Sequence, residues 1–204
     1  MARPRSDISS RIVSAARERF LVDGVDGASL RAIAADAGTS IGMVYYYFPA
    51  KDDLFLGVVE ERYAEILRDF EAALSPDRPV DTRIRALFQR IARLTEEEAQ
   101  VVRIVIREIL VSGDRRKRIA DRFARGHLPL VLRLIADGVG SGVFRDDLPA
   151  PVIAISMLAI GLFPQVLRKI VGDSFPIAVL IPKGTKLADA LADVLLHGIT
   201  PRKG

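Results

Sequence analysis

Cysteine and tryptophan are both absent from this chain of 204 residues, and aromatic residues make up only 6% of it. Without cysteine the chain can form neither a disulfide nor a thiolate metal site. Half of the residues are nevertheless hydrophobic, which suffices for one domain of ordinary size or two small ones. Because aromatics are few and no long segment alternates with a strand period, the composition favours an aliphatic, all-α protein over a β-sandwich.

Histidine is scarce too, and the motifs of common enzyme classes are missing. His127 and His197 lie on separate segments and no H-E-x-x-H motif occurs, which argues against a zinc hydrolase. The glycine-rich run 138–142 follows a predicted helix and lacks a closing Gly-Lys-Ser/Thr, so we interpret it as a connection and not as a phosphate-binding loop. We therefore expect no enzymatic activity, no metal site and no cofactor.

Long uncharged runs are limited to one segment, residues 148–167. Three prolines and Gly161 interrupt it, which leaves only Val152–Phe163 as a clean apolar run. A run of that length is too short to span a bilayer, and the polar N-terminus lacks the apolar core of a secretory signal. We expect a cytoplasmic protein without a membrane partner, in which this segment is buried or forms a dimer contact.

Positive charge is in slight excess, with a net charge of +4. That balance is compatible with phosphate binding but does not establish it. The densest basic run is Arg115-Arg116-Lys117-Arg118, which could contact phosphate or an acidic partner. We interpret it as the solvated start of a helix.

Two short helices joined by a tight turn are predicted between residues 29 and 51. In the first helix, apolar residues recur at i, i+3, i+4 and i+7 from Leu30, with Ser29 at the N-cap position. Gly38 follows, suited to the left-handed conformation that ends a helix. The second helix repeats the spacing from Ile41, can be capped by Thr39 or Ser40, and ends before Pro49.

The second helix has an unusual outer face. With Ile41, Val44 and Phe48 turned inward, the outward residues are Gly42, Met43, Tyr46 and Tyr47, and none is acidic. A short, acid-free helix after a three-residue turn is typical of the recognition helix of a helix-turn-helix, which enters the major groove of DNA. The spacing alone also fits a helical hairpin, so a protein-interaction module whose Met43, Tyr46 and Tyr47 dock a protein partner stays open as an alternative.

A longer pattern runs through both helices. It resembles the signature I-A-x-x-A-G-V-S-x-G-x-x-Y-x-H/Y-F-x-x-K-x-x-L of TetR-type (TetR/AcrR) transcriptional regulators. The residues that match in register are Ile33, Ala34, Ala37, Gly38, Ser40, Gly42, Tyr45, Tyr47, Phe48, Lys51 and Leu54. Thr39 replaces the usual valine and Ser29 the usual threonine. The resemblance implies a DNA-binding regulator, expected to be a homodimeric repressor that a small, largely apolar ligand releases from a pseudo-palindromic DNA operator.

The resemblance also implies roles for individual residues. Phosphate contacts fix the register of a protein on DNA and base contacts choose the sequence. The phosphate-side candidates are Ser29, Tyr45, Tyr47 and Lys51, and the base-side candidates are Arg31, Ser40, Gly42, Met43 and Tyr46. Arg31 is the strongest of these chemically, because a guanidinium can bridge O6 and N7 of guanine. Its place near the start of the supporting helix also allows a phosphate contact.

The remaining pattern predicts about nine helices in two domains. A helix-turn-helix DNA-binding domain over 1–51, with a first helix over 7–22 ended by Asp23-Gly24, is followed by a bridging helix over 51–74. A ligand-binding and dimerisation domain over 75–204 follows the break at Ser75–Pro79. Its predicted helices are 80–94, 97–112, 115–138, 149–171 and 184–198, and the strand-like run 175–181 is weakened by prolines.

The C-terminal helical bundle is expected to dimerise and to bind an effector. The helices near 149–171 and 184–198 resemble the pair with which TetR-type proteins build a four-helix dimer interface. The pocket is implied by the resemblance, and apolar residues at helical spacing are also ordinary core residues. Its candidate lining residues are Phe88, Ile91, Val105, Ile109, Phe123, His127, Met157 and Phe163, and the polar groups nearest them in the sequence are Arg107, Glu108, His127 and Gln165.

Overall fold

The computed structural model describes residues 5–171 and 184–199, and within these ranges every element of regular secondary structure is a helix. The first seven helices are α1 (Arg5–Gly27), α2 (Leu30–Asp36), α3 (Ile41–Tyr47), α4 (Lys51–Ala73), α5 (Val80–Ala92), α6 (Glu96–Val111) and α7 (Gly113–Ala124). They are followed by α8 (His127–Gly140), α9 (Ala150–Met157), a π-helical turn (Leu158–Leu162), α10 (Phe163–Val171) and α11 (Thr185–Ile199). Since α9, the π-turn and α10 run on without a break, these ranges contain ten separate helices. The predicted all-α fold is confirmed, and the strand-like run 175–181 lies outside the described residues.

The described residues form two compact units. The first unit contains the chain up to Glu65 together with Glu96–Ala120, and the second contains Ile66–Thr95 and the chain from Asp121 onward. Helix α4 and helix α7 each contribute residues to both units. The boundary between the units does not coincide with the break at 75–79, so the division into domains over 1–51 and 75–204 stays a prediction.

In the first unit, α1 packs on α2, α3 and α6. The side chains of Ile12 and Phe20 from α1 are fully buried, together with Ile33 of α2 and Val44 of α3. The predicted stop at Asp23-Gly24 is visible as an interruption of α1, since Gly24 has φ 73° and ψ 170°. That region of backbone space is open almost only to glycine.

The second unit is built around α5, which packs on α8, α11 and the π-turn. Its core is formed by buried apolar residues from α5, α8, α9 and α11 and from the loop after α8: Ile84, Phe88, Leu134, Ile135, Phe144, Ile153, Ala188, Ala192 and Leu195. Arg83 is buried among them, and it donates to Asp137 at 2.7 Å and to the Leu74 carbonyl at 3.1 Å. Buried charge is thus paired, as the low dielectric of a core requires.

The prediction of a single helix over 115–138 is wrong. The chain forms α7 and α8 there, separated at Arg125-Gly126, and Gly126 has φ −112° and ψ −111°, which lies outside the helical region. Pro129 is the third residue of α8. In the first turn of a helix the backbone amides have no intrahelical partner, so the amide that proline lacks is not missed. Gly126 and Pro129 are local signals of a new helix start, and the prediction overlooked them.

The expectation that prolines shorten the apolar segment before residue 168 is also wrong. Pro151 lies in the first turn of α9, where proline is tolerated. Pro164 follows the π-turn, in which the Phe163 amide donates to the Leu158 carbonyl. Such a turn is one way for a helix to continue around an interruption in its hydrogen bonding. Within the described residues, one helix, Ala150–Arg168, therefore has the length and apolar composition to cross a membrane.

Candidate nucleic-acid interface

The turn between α2 and α3 is built as the sequence predicts. The Ser29 hydroxyl accepts from the Ala32 amide at 3.4 Å, and the Ser40 hydroxyl accepts from the Met43 amide at 3.3 Å. Gly38 has φ 60°. The Thr39 amide donates to the Ala34 carbonyl at 3.0 Å, which closes the end of α2 in the manner of a glycine C-cap.

Helix α1 holds this turn in place with two arginines. Arg11 donates to the Ala37 carbonyl at 2.6 Å, which satisfies an acceptor at the end of α2. Arg19 forms a two-point contact with Asp36 at 2.6 and 3.1 Å. The hydrogen bond from Arg19 lowers the pKa of Asp36 below its ordinary value. Both contacts fix the angle at which α2, and with it α3, leaves α1.

Helix α3 is anchored on one side and open on the other. Val44 is fully buried, and the ring of Phe48 lies directly against Gly57 of α4, where an added side chain would collide with it. On the opposite side Tyr45 is 52% and Tyr46 63% exposed. A rigid frame therefore presents two tyrosines to solvent.

The sequence-predicted DNA contacts lie on three neighbouring segments of the first unit: the start of α2, all of α3 and the start of α4. Exposed members of the set are Ser29, Arg31, Ser40, Gly42, Tyr45 and Tyr46, whereas Met43, Tyr47 and Lys51 are half-buried. The rings of Tyr46 and Tyr47 meet edge to face with their centroids 5.2 Å apart. This contact restrains both rings on the outer side of α3.

Lys51 has a contact that sequence reasoning missed. Its ammonium donates to the Asp26 carbonyl at 2.9 Å and so ties the first turn of α4 to the last turn of α1. An ammonium group has three donors, so this bond leaves two for other acceptors. In the same turn Asp53 accepts from the Ala50 amide at 3.1 Å, which caps the start of α4.

Comparison with known proteins adds independent support for this geometry. Residues 12–58 match the model of bacterial regulatory proteins of the tetR family. The HTH-type transcriptional repressor SCO4008 of Streptomyces coelicolor is 27% identical over 176 residues, which cover 84% of this chain and 87% of that protein. The HTH-type transcriptional repressor NicS of Pseudomonas putida is 33% identical over 140 residues, or 67% of this chain and 66% of NicS. This chain belongs to the TetR family.

Solved structures show the same fold for this TetR-family protein over nearly its whole length. The transcriptional regulator FadR from Bacillus subtilis, in complex with stearoyl-CoA, superposes with a TM-score of 0.74 at 17% identity, covering 93% of this chain and 98% of FadR. The ketosteroid transcriptional regulator KstR2 of Mycobacterium tuberculosis gives a TM-score of 0.66 at 15% identity, covering 99% and 98%. At these identities the likeness concerns the fold alone. The chain is a DNA-binding transcriptional regulator with a helix-turn-helix.

We call α2, α3 and the first turn of α4 the predicted reading head of this TetR-family protein. Arg115 connects this part of the first unit to α6 and α7. Its guanidinium donates to Glu108 at 2.7 Å, to Asp52 at 3.0 Å and to Asp26 at 2.7 Å. Burial opposes the charge, but the three hydrogen bonds raise the pKa of Arg115 on balance. The hydrogen bond from Arg115 to Asp26 lowers the pKa of Asp26. The interpretation of this arginine as solvated is wrong. Its carboxylate partners lie up to 89 positions away, where local sequence gives no sign of them.

The candidate pocket residues are divided between the two units. Val105 is buried and Ile109 half-buried in the first unit. Phe88, Ile91 and Met157 are buried in the second. Phe163 also belongs to the second unit but is 62% exposed, on its outer surface. The pocket as a set of these residues stays a prediction.

His127 lies between two aromatic rings of the second unit. Its ring centroid is 4.7 Å from that of Phe123 and 6.3 Å from that of Phe70. Burial, and then the charge of Arg122, lowers the pKa of His127. The imidazole is therefore held in its neutral form at neutral pH.

The second unit also has a group of exposed large apolar side chains, which we call the apolar face. It is formed by Val152, Ile155, Leu158, Phe163 and Leu167 along α9, the π-turn and α10, and by Val194 of α11. Only 28% of the apolar helix from Ala150 to Arg168 is buried within the structure. Exposed apolar patches of this kind mark interaction surfaces.

Proposed function

We propose that this protein is a homodimeric repressor that binds a pseudo-palindromic operator through α3 and leaves it when a small, largely apolar ligand binds the second unit. The observation that carries the proposal is the exposed, acid-free side of α3, which two caps, two arginines and the Phe48–Gly57 contact hold in place. Relatives named as repressors support the sign of regulation.

The proposed DNA contacts are those expected from the sequence. Helix α3 enters the major groove, with Ser40, Gly42, Met43 and Tyr46 towards the base edges and Arg31 of α2 as a further base contact. Ser29, Tyr45, Tyr47 and Lys51 contact phosphates. The hydroxyls of Ser29 and Ser40 accept from backbone amides, and each retains its own hydrogen for donation to DNA.

Dimerisation is needed because one recognition helix contacts only a few base pairs. Two copies of α3 about 34–36 Å apart read two half-sites on the same side of the duplex. The apolar face is the surface that a second copy of this chain covers. This assignment explains why a helix as apolar as Ala150–Arg168 is mostly exposed in one chain, and it needs no membrane partner.

Ligand release is a shift between conformations. In one conformation of the dimer, the spacing between the two reading heads does not match the two half-sites. A ligand that binds this conformation more tightly lowers the fraction of dimers that can contact both half-sites. A complete switch needs a differential affinity on the order of 10⁴. The FadR neighbour was solved with stearoyl-CoA, which supports an apolar effector for the present fold.

The proposal is tested by fluorescence anisotropy of the full-length protein on labelled duplex from upstream of its own gene. Arg31→Ala should lose on the order of 1–3 kcal/mol and relax discrimination at one base pair. Lys51→Ala should weaken binding to all sequences alike and reduce its salt dependence. Arg133→Ala, at an exposed arginine of the second unit, is the matched control. If the Arg31 and Lys51 variants both bind the operator like the control, the assigned contacts are wrong.

The alternative, a module that docks a protein through Met43, Tyr46 and Tyr47, gives a different result in the same assay. Phosphate contacts release counterions, so DNA binding weakens steeply with salt. A protein-docking patch has no affinity for duplex DNA that depends on salt in this way.

A further inference from the structure

Gln165 of α10 is a buried polar side chain in the core of the second unit. It is only 6% exposed. Its amide nitrogen donates to the Gly161 carbonyl at 2.5 Å and to the Phe88 carbonyl at 3.2 Å. These two acceptors fix the orientation of the amide, because a flipped amide would place its oxygen against two carbonyl oxygens.

With that orientation fixed, the amide oxygen of Gln165 is buried and has no hydrogen-bond donor among the described residues. Buried acceptors in native proteins are nearly always paired. An unpaired one is destabilising because its lost hydration is not replaced. Among the described residues, the position thus carries an acceptor that a donor on a bound molecule can pair.

The backbone that holds the Gln165 amide is structurally special. Gly161 belongs to the π-turn, and the ring of Phe88 lies so close to it that any side chain there would collide. Single π-turns inside helices are frequent at functional sites. Phe88, Ile91 and Met157, three of the predicted pocket residues, are buried in the same unit.

The charges of the second unit restrict what could bind here. Among its described residues, the buried polar or charged side chains are Arg83 and Gln165. Arg83 is engaged by Asp137 and by the Leu74 carbonyl. The described part of the unit therefore leaves no buried cation for an anionic group, and a carboxylate would bring acceptors towards an acceptor.

We propose that Gln165 is the polar anchor of the effector site and that the effector is a neutral, apolar molecule with a hydroxyl or amide donor that binds the Gln165 oxygen. This inference rests on the proposed function, since it specifies the ligand of the same regulator. It excludes a free fatty acid whose carboxylate is bound at this position. Selectivity comes from the unpaired acceptor, because a site built for a donor rejects the analogue that lacks one.

The test is isothermal titration calorimetry of the full-length protein with three probes of equal chain length: 1-decanol, its methyl ether and decanoate. The wild-type protein should bind the alcohol on the order of 10-fold more tightly than the ether, as expected when an acceptor loses its donor, and more tightly than decanoate. Gln165→Met keeps the volume and removes the acceptor, so its alcohol-to-ether ratio should fall to about one. Gln89→Met is the matched control, because Gln89 donates to Asp189 on α11, and it should keep the wild-type ratio.

Three results would overturn the proposal: an alcohol-to-ether ratio of one in the wild-type protein, no binding of any probe, or a ratio that Gln165→Met leaves unchanged. A crystal structure with the alcohol in which only a buried water contacts the Gln165 oxygen would overturn it too. Thermal unfolding of each variant separates loss of the anchor from loss of the fold. Operator binding without ligand is measured alongside. If operator binding persists while the alcohol preference is absent, the ligand assignment is wrong and the proposed regulatory function is unaffected. If operator binding is absent, the proposed function is wrong whatever the calorimetry shows.

Discussion

Replacing Arg115 by methionine should lower the free energy of unfolding by about 3–5 kcal/mol, because the substitution leaves a buried carboxylate without its partner. Glu108 dominates this value. Its side chain is only 2% exposed and lies 2.7 Å from the Arg115 guanidinium. Asp26 is 80% exposed, so its ion pair adds roughly 0–1 kcal/mol. Asp52 is half-buried, so the contribution of its ion pair lies between those of Glu108 and Asp26.

Urea unfolding followed by circular dichroism measures this loss, as a lower midpoint at unchanged slope. The control is Arg118→Met, the same substitution on the same helix. Arg118 pairs with Asp53 at 3.2 Å where both side chains are exposed, so the expected change is about 0–1 kcal/mol. The double variant Arg115→Met/Glu108→Leu should recover much of the loss, since it removes both charges. The reasoning is refuted if Arg115→Met is no more destabilised than Arg118→Met.

Three further predictions concern other parts of the chain. Gly24→Ala should destabilise by about 1–3 kcal/mol in thermal unfolding, since φ is 73° and ψ 170° there, whereas Gly140→Ala, where a side chain meets open space, should be neutral or stabilising. Leu158→Arg, on the apolar face, should convert the dimer to a monomer in light scattering, and an unchanged mass would remove that face as the interface. Burial lowers the pKa of His127 below its ordinary value of 6.5, so the unfolded chain binds more protons below about pH 6.5 and stability should fall from pH 7 to pH 5. His127→Phe should flatten that dependence, and an equal slope in the variant would contradict the assignment.

The reading head was predictable because its signals are local. The hydroxyls of Ser29 and Ser40, the left-handed Gly38 and the apolar spacing of α2 and α3 all lie within a few residues of the structures that they determine. Each acts through the nearest turn of backbone. A single sequence therefore suffices to identify them and to place the candidate DNA contacts together.

The remaining features depend on partners far away in the sequence. Arg115 finds Asp52 and Asp26 at separations of 63 and 89 residues, and a basic run gives no sign that one of its members is buried. Gln165 looks like any polar residue on a helix until the Phe88 carbonyl, 77 positions away, is placed beside it. The predicted helix over 149–171 is present, but it continues past Pro164 through a π-turn, which no residue pattern predicts.

The central claim is that α3 reads duplex DNA from a dimer, and the salt dependence of operator binding tests it most directly. The affinity of the full-length protein should be measured by anisotropy from about 50 to 200 mM salt, on its own upstream duplex and on a scrambled duplex of equal composition. If Lys51, with or without Arg31, neutralises phosphates in both subunits, about two to four phosphates lose their counterions, and affinity should fall roughly 10- to 150-fold over this range. The upstream duplex should bind at least about 10³-fold more tightly than the scrambled one at every salt concentration. Equal affinity for the two duplexes, or binding that is insensitive to salt, would contradict the claim.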